Sequence, residues 1–461
     1  MRLPDLAGLR VLILGTGREG AAAAEAIVPV AASVVAADDN DGDSAAMWRE
    51  RWADEVPLLI APDPAEVAAL VDVVVKSPGI SPRHPLVKYL LDAGVPFTSG
   101  TDLWLGEHAA TTTGITGSKG KSTTASLIHH LTNALGGDSV LGGNIGVPLL
   151  ALGGAARTVV ELSSYQAQSV TVSPDIVVLT SLFPDHLDWH GSEEQYYSDK
   201  LNLMGHGPRR VIVNAEDPVL MAHVEALTTP NGPVDAAVIE LVGAPTHAAG
   251  GRWAVREHQG ADWIMRGDEP IAPRAALRLL GRHNAVNSAL ALAAVEAAGI
   301  HVTAQAATEA LGTFEPLEHR LEPIFDDSGL TFVNDSLSTN PQAAIQALKA
   351  FDSADVTLLV GGQDRGVDYS PLAEHLLRHP ITAVVGLPPS GPRILAELER
   401  TGVILEQADD MRDAVQRARY LTPAEGTVLL SPAAPSYGIY RDFADRAADF
   451  RRAIEATRPT A

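Results

Sequence analysis

Short, nearly unbroken apolar runs alternate along this chain with Ala- and Leu-rich amphipathic stretches. That is the rhythm of parallel strands, buried on both faces, each followed by a helix. The first run, RVLIL at 10–14, enters Gly15-Thr16-Gly17-Arg18-Glu19-Gly20 and is followed by an Ala-rich helix over 21–27. A second strand over 33–37 ends at Asp38-Asp39, and a third over 71–75 precedes the turn Ser77-Pro78-Gly79. A new cycle begins near residue 109, with a strand over 112–115, a loop over 116–121 and a helix from 122 to about 135. Strands over 158–162, 176–180 and 211–214 continue it, and 285–297 reads as a helix. Residues 230–275 are irregular, with a strand-like piece at 236–241. The last cycle has a strand at 330–334, a helix at 341–351 and strands at 356–361, 383–385 and 427–430.

These periods predict an α/β protein of three domains, spanning 1–108, 109–312 and 313–461. The first and third are Rossmann-like, and the glycine-rich loop between the strand over 112–115 and its helix marks the central one as a P-loop mononucleotide-binding α/β domain. A length of 461 residues agrees with two or three cores. The architecture repeats, but no short sequence does.

Composition narrows the function. Thirty-four Lys and Arg face 57 Asp and Glu, for a formal net charge of −23. Such acidity disfavours a broad nucleic-acid or anionic-membrane surface, while leaving room for one basic pocket. With no cysteine, disulfides, thiolate metal sites and a cysteine nucleophile are excluded. No apolar run approaches membrane-spanning length, and the N-terminus lacks a signal-peptide pattern, so a cytoplasmic protein is expected.

The strongest local signal is Gly117-Ser118-Lys119-Gly120-Lys121-Ser122, followed by Thr123, set between a strand and a helix. Glycines let backbone N–H groups turn in around phosphate oxygens, and the helix N-terminus adds partial positive charge. Lys121 would neutralise the phosphates of ATP, and the Ser122 or Thr123 hydroxyl would reach Mg²⁺. Ile115 occupies the first glycine position of the longer phosphate-loop pattern, so this is the shorter G-x-x-G-K-S form. Downstream, Glu161 in VVELSSYQ ends a strand, Asp185-His186 in LFPDHLDWHG follow another, and Lys200 stands in YYSDKLNL. Each alone is as readily a structural polar group; after a phosphate loop, together, they read as a metal cluster.

In isolation, Gly15, Gly17 and Gly20 with Asp38 suggest a dinucleotide fold and an oxidoreductase. No hydride-transfer constellation accompanies them. A nucleotide-binding scaffold without chemistry is a further alternative, disfavoured by the retention of Lys121, Glu161, His186 and Lys200.

Across nearly its whole length the sequence resembles the Mur ligase family. The ordered landmarks are TGSKGKST, GGNIG, ELSSYQ, PDHLDWHG, Asp199-Lys200, GRHNAVN, His319-Arg320, NDSLSTN, GGQDRG and LSPAAPSYGIYRDF. The resemblance implies that ATP phosphorylates a carboxylate and that an amino acid attacks the acyl phosphate, releasing ADP and phosphate. It implies one Mg²⁺ near Ser122 and Glu161 and a second near Glu161, His186 and a carbamylated Lys200. By the same carry-over Asn284 and Asn287 meet the adenine, Arg320 the phosphates and Asp335 the ribose. The first-domain residues Gly15, Thr16, Gly17, Asp38, Ser77, Pro78 and Gly79, with Asn144, would hold a UDP-muramoyl substrate.

Length and LSPAAPSYG resemble the family branch that adds glutamate to UDP-N-acetylmuramoyl-L-alanine. Enzymes of that branch using D-glutamate carry a Lys in the segment matching Leu337 and often at the position of Arg365. Here Leu337, Arg365, Ser118-Lys119 and Trp189 resemble the variant that adds L-glutamate, whose product a separate epimerase later inverts. D-glutamate is the alternative acceptor. Thr339, Arg365, Ser436, Tyr440 and Phe443 are the acceptor-pocket candidates, and family habit implies a monomer.

Overall fold

A computed structural model describes residues 1–52, 55–229, 232–243, 252–351 and 354–459. Three sheets organise the described residues, and all three have the α/β character expected.

The N-terminal sheet is wholly parallel, in the order Leu58–Ile60, Ser33–Asp38, Arg10–Leu14, Val73–Lys76, Phe97–Thr98. Chain order reverses between Arg10–Leu14 and Val73–Lys76, which opens a crevice beyond the carboxyl ends of those two strands. Val11, Leu12 and Ile13 are fully buried. Burying each such side chain contributes about 1.5–3 kcal/mol.

The central sheet has nine strands. Six parallel ones run Ser139–Gly143, Arg157–Glu161, Thr112–Thr116, Ile176–Leu179, Arg210–Asn214, Ile239–Val242. Trp253–His258 joins in parallel, and Ala261–Arg266 and Glu269–Pro273 extend the edge as antiparallel hairpins. The expected strand at 236–241 begins later: Asp235 accepts from Ala237 N–H and turns 236–238 into a single 3₁₀ turn before the strand at Ile239. The third sheet runs Glu322–Phe325, Thr331–Asn334, Thr427–Leu430, Val356–Gly361, Ala383–Leu387, Ile404–Gln407, with only the first pair antiparallel.

The chain divides into two compact units, Met1–Ala276 with Ala285–Phe314, and Leu277–Asn284 with Glu315–Ala461. Residue 108 therefore lies inside the first unit, between helix Gly100–His108 and strand Thr112–Thr116. Buried Asp102 shows one reason. It accepts from Thr171 N–H (2.7 Å) and Thr171 Oγ1 (2.8 Å), fixing its helix to the segment beyond Ala167. Among the described residues no helix is long and apolar enough to cross a membrane.

Candidate active site

Strand Thr112–Thr116, buried throughout, delivers the chain into Gly117–Gly120, and helix Lys121–Ala134 follows at once. Gly117 has φ +146°, and a Cβ there would stand 2.1 Å from Thr180 Oγ1. Gly120, at φ +86°, is the helix N-cap. Only glycine suits such a pair of positions. The neighbouring strand end braces the loop: Ser118 N–H donates to Ser181 O (2.8 Å), Lys119 N–H to Ser181 Oγ (3.0 Å), and Thr180 Oγ1 to Lys119 O (2.6 Å). Lys121 Nζ donates to Ser118 O (3.1 Å), which brings its ammonium back over the loop beside the helix N-terminus. Ser122 is buried and Thr123 half-buried. The result is a compact anion site.

Glu161 closes strand Arg157–Glu161 and is only 1% exposed. Its Oε1 accepts from Asn144 Nδ2 (2.8 Å), and Asn144 N–H also donates to Glu161 O (2.9 Å). Glu161 Oε2 is buried without a hydrogen-bond partner. A buried carboxylate oxygen lacking a donor is costly by itself and suits a hard cation. Lys200, on helix Glu193–Leu201, is 2% exposed, with Nζ 4.7 Å from the Tyr196 ring centroid. Burial, and after it the charge of Lys121, hold its pKa well below the ordinary lysine value, against the opposing pull of Asp185, Glu161 and Asp199.

His186 sits in a left-handed conformation at φ 52°, with its ring half-exposed. Its N–H donates to Asp185 Oδ1 (3.0 Å), and the ring lies 5.3 Å from that of Tyr165. Among the described residues no three His, Cys, Asp or Glu side chains form a group able to hold a metal. A cation here would therefore rely on Glu161 together with the Ser122 hydroxyl, and on Lys200 if it carried an acidic group.

Near these residues lies a chain of mostly buried polar groups. His190 Nε2 is 2.9 Å from Ser164 Oγ, and its Nδ1 is 2.6 Å from Asp199 Oδ2. Gln195 Nε2 donates to the other oxygen, Asp199 Oδ1 (2.7 Å). Burial lowers the His190 pKa, and Asp199 only partly offsets this. A donor at Nδ1 is what an ionised Asp199 carboxylate accepts.

A cavity of about 520 Å³ opens at the crevice of the N-terminal sheet. Gly15, Thr16, Gly17, Asp38, Ser77, Pro78, Gly79 and Asn144 all line it, as do Glu19 and Tyr165. Asp38 Oδ2 accepts from Thr16 N–H (2.9 Å) and Thr16 Oγ1 (2.7 Å). Burial pushes the Asp38 pKa up, but these bonds outweigh it and the net shift is downward. Gly15, at φ +100°, lets the two turns meet: a Cβ there would stand 2.8 Å from Ser77 Oγ. Glu19 accepts from Gln166 Nε2 (3.4 Å), and its burial raises its pKa.

In the second unit, the acceptor candidates follow the carboxyl ends of Thr331–Asn334, Val356–Gly361 and Thr427–Leu430. Thr339 and Arg365 are exposed, and Arg365 Nε donates to Gln363 Oε1 (3.0 Å). Ser436 is buried and Phe443 39% exposed. Tyr440 donates its hydroxyl to Asp449 (2.9 Å), so that group is spent within the helical layer. Asp335 is buried and accepts from Ser338 Oγ and from Ser431 Oγ (2.8 Å). Arg320 lies between His319 and Leu321, both at positive φ. Asn284 donates to Leu280 O (2.7 Å) in this unit, whereas Asn287 belongs to the first, where a Cβ on Gly120 would stand 2.9 Å from its Oδ1.

Comparison with known proteins decides the family. The model described as "Mur ligase middle domain" matches residues 115–295, and that described as "Mur ligase, glutamate ligase domain" matches 319–434. A Salinispora tropica protein named "UDP-N-acetylmuramoyl-L-alanine--L-glutamate ligase" is 47% identical over 99% of this chain and 100% of its own. The chain belongs to the Mur ligase family. A Xanthomonas campestris protein of the same name is 39% identical to this Mur ligase, over 98% of the chain and 96% of the relative. Its fold is shared with the MurF ligase of Thermotoga maritima solved in complex with ADP (TM-score 0.59, 16% identity, 99% and 96% coverage).

Several residues around the candidate site of this Mur ligase escape sequence reasoning. Ser164, His190 and Asp199 lie within the quoted motifs but are joined only by the fold. Ser181 and Thr180 brace the phosphate loop from a different strand. Arg446, from helix Phe443–Ala456, is buried and donates to Ser336 O (2.7 Å) and Ala434 O (3.0 Å), tying two acceptor-side loops together. The usable signal for it was an arginine among the apolar positions of that helix.

Proposed function

We propose that this enzyme joins L-glutamate to UDP-N-acetylmuramoyl-L-alanine, with ATP hydrolysed to ADP and phosphate, in the synthesis of peptidoglycan precursors. The observation that carries the reading is identity along the full length of relatives so named, coinciding with an anion loop beside a buried, half-satisfied carboxylate. The ATP γ-phosphoryl group passes to the alanyl carboxylate, forming an acyl phosphate and ADP. The glutamate amine then attacks the acyl carbon, expelling phosphate and forming the amide. Lys121 and the loop amides bind and orient the phosphates, a task of positioning and charge neutralisation. Glu161, oriented by Asn144, and Ser122 would hold Mg²⁺, which supplies charge neutralisation to the transferring phosphoryl group. Lys200, buried and disfavoured as a cation, suits carbamylation, which would make it an anionic partner for a second Mg²⁺ near His186.

The cavity at Gly15–Gly17 and Ser77–Gly79 takes the UDP-sugar, which displaces the oxidoreductase reading of the glycine-rich turn. Asn284, Asn287, Arg320 and Asp335 are assigned to ATP, and Thr339, Arg365, Ser436 and Phe443 to glutamate; Tyr440 supports that pocket through its bond to Asp449. The acceptor is L-glutamate, a separate epimerase acts afterwards, and the enzyme works as a cytoplasmic monomer. Lys121→Ala tests the core of this reading. ADP formation should fall at least about a hundredfold with the fold retained, and unchanged turnover would refute the phosphate-loop role.

A further inference from the structure

Trp189 lies three residues beyond His186, on the short helix Leu187–His190. Its indole ring packs on Tyr165 (4.6 Å between centroids) and on His190 (4.5 Å). Its polar atoms reach elsewhere. Nε1–H donates to Gly79 O (3.0 Å), in the turn that lines the N-terminal cavity. The backbone carbonyl of Trp189 accepts from Arg83 Nη2 (2.8 Å), from just beyond the same turn. Lys76, immediately before that turn, places Nζ 5.8 Å from the Trp189 ring centroid while donating to Ile80 O (2.8 Å). Gly191, at φ +91°, leaves room for the guanidinium: a Cβ there would stand 3.2 Å from Arg83 Nη1.

The segment 76–83 and the helix are thus joined by two hydrogen bonds of opposite polarity and one cation–ring contact, all at Trp189. Trp189 itself is not among the cavity-lining residues, and neither is Arg83. Trp189 bonds to Gly79, which does line the cavity, and Arg83 bonds to Trp189. From the turn, contacts run through Trp189 to the Tyr165 ring (4.6 Å) and to His186 O, which accepts from Trp189 N–H (3.1 Å).

We propose that Trp189 and Arg83 are positioning residues that latch the nucleotide-sugar turn to the segment carrying Asp185 and His186, so that filling the cavity orders that segment. This rests on the reading of the cavity as the UDP-sugar site.

The test uses the full chain and UDP-N-acetylmuramoyl-L-alanine as probe, with amide hydrogen exchange and steady-state kinetics read in parallel. Trp189→Phe keeps the ring stack and removes the donor; Arg83→Met removes the second bond, and Arg83→Lys can restore it. In the wild type, probe binding should slow exchange at residues 185–191 as well as at 77–80. In Trp189→Phe and Arg83→Met, the slowing at 77–80 should persist while that at 185–191 is lost. In both, kcat should fall and the KM for the nucleotide sugar rise by about three- to tenfold, with the KM for ATP within about twofold. Arg83→Lys should recover most of the loss, and the double variant should be little worse than the poorer single one, since both act on one latch. No slowing at 185–191 in the wild type, or slowing that survives both substitutions, overturns the proposal. A drop in kcat alone, with less folded protein, overturns it too, because that is a purely structural effect. ADP formation by the wild type, measured separately, decides the ligase reading independently of the latch.

Discussion

Asp199 and His190 share a 2.6 Å hydrogen bond, one position before the buried Lys200. With Gln195 on its other oxygen, Asp199 is fully engaged. Burial lowers the pKa of the lysine next to it, against the pull of Asp185, Glu161 and Asp199, and its Nζ stands 4.7 Å from the Tyr196 ring centroid.

Asp199→Asn therefore disturbs more than one bond. An amide cannot accept from both His190 and Gln195, so one donor pair is forced face to face. The expected loss is about 2 kcal/mol of stability, read as a lower urea midpoint, together with a reduced kcat. An unchanged midpoint would show that the bond contributes nothing.

Lys200→Ala is expected to reduce turnover at least about a hundredfold, with partial recovery on adding short-chain carboxylic acids that can supply the missing anion. The readout is ADP release with and without the acid. Absence of any rescue would count against a carbamylated Lys200.

Gly117→Ala places a Cβ against Thr180 Oγ1 at 2.1 Å and Ser181 N at 3.0 Å, at a φ of +146°. The loop must shift, at a cost of about 1–3 kcal/mol, and the KM for ATP should rise at least about tenfold. A variant with wild-type thermal midpoint and wild-type KM would contradict the described loop.

Lys76 gives a pH signature. Burial pushes its pKa down from 10.5 to about 8. Below pH 8 both folded and unfolded chains carry the proton, and the folded state bears the cost of a buried ammonium. Between pH 8 and about 10.5 the folded chain releases its proton first, so stability from this group rises with pH, by at most about 3 kcal/mol. The stability difference between wild type and Lys76→Met should change in the wild type's favour across that window. A constant difference would contradict the shift.

Much of the fold was legible because parallel strands covered on both faces are apolar without interruption, as at 10–14, 176–180 and 356–361. Strands too short to show a period, such as Leu58–Ile60 and Phe97–Thr98, were not. Nor was the antiparallel edge from Trp253 to Pro273, where polar Glu257 and Asp262 pair across the first hairpin and Arg256 pairs with Trp263. The strand–loop–helix geometry around Gly117–Ser122 could be read because its signal is local: glycines, lysine and hydroxyl fall within one turn. The Ser164–His190–Asp199 chain could not, because nothing in its spacing distinguishes it from polar residues on separate surfaces. The division near residue 108 is obscured for the same reason, since Asp102 and Trp189 make bonds that only the fold brings together.

The most direct measurement is phosphate release by the purified enzyme with ATP, Mg²⁺ and UDP-N-acetylmuramoyl-L-alanine, comparing L- with D-glutamate and omitting each component in turn. Release should require every component, with kcat/KM for L-glutamate at least about tenfold above that for D-glutamate. Release with D-glutamate alone would contradict the acceptor assignment, and no release with either enantiomer would contradict the ligase itself.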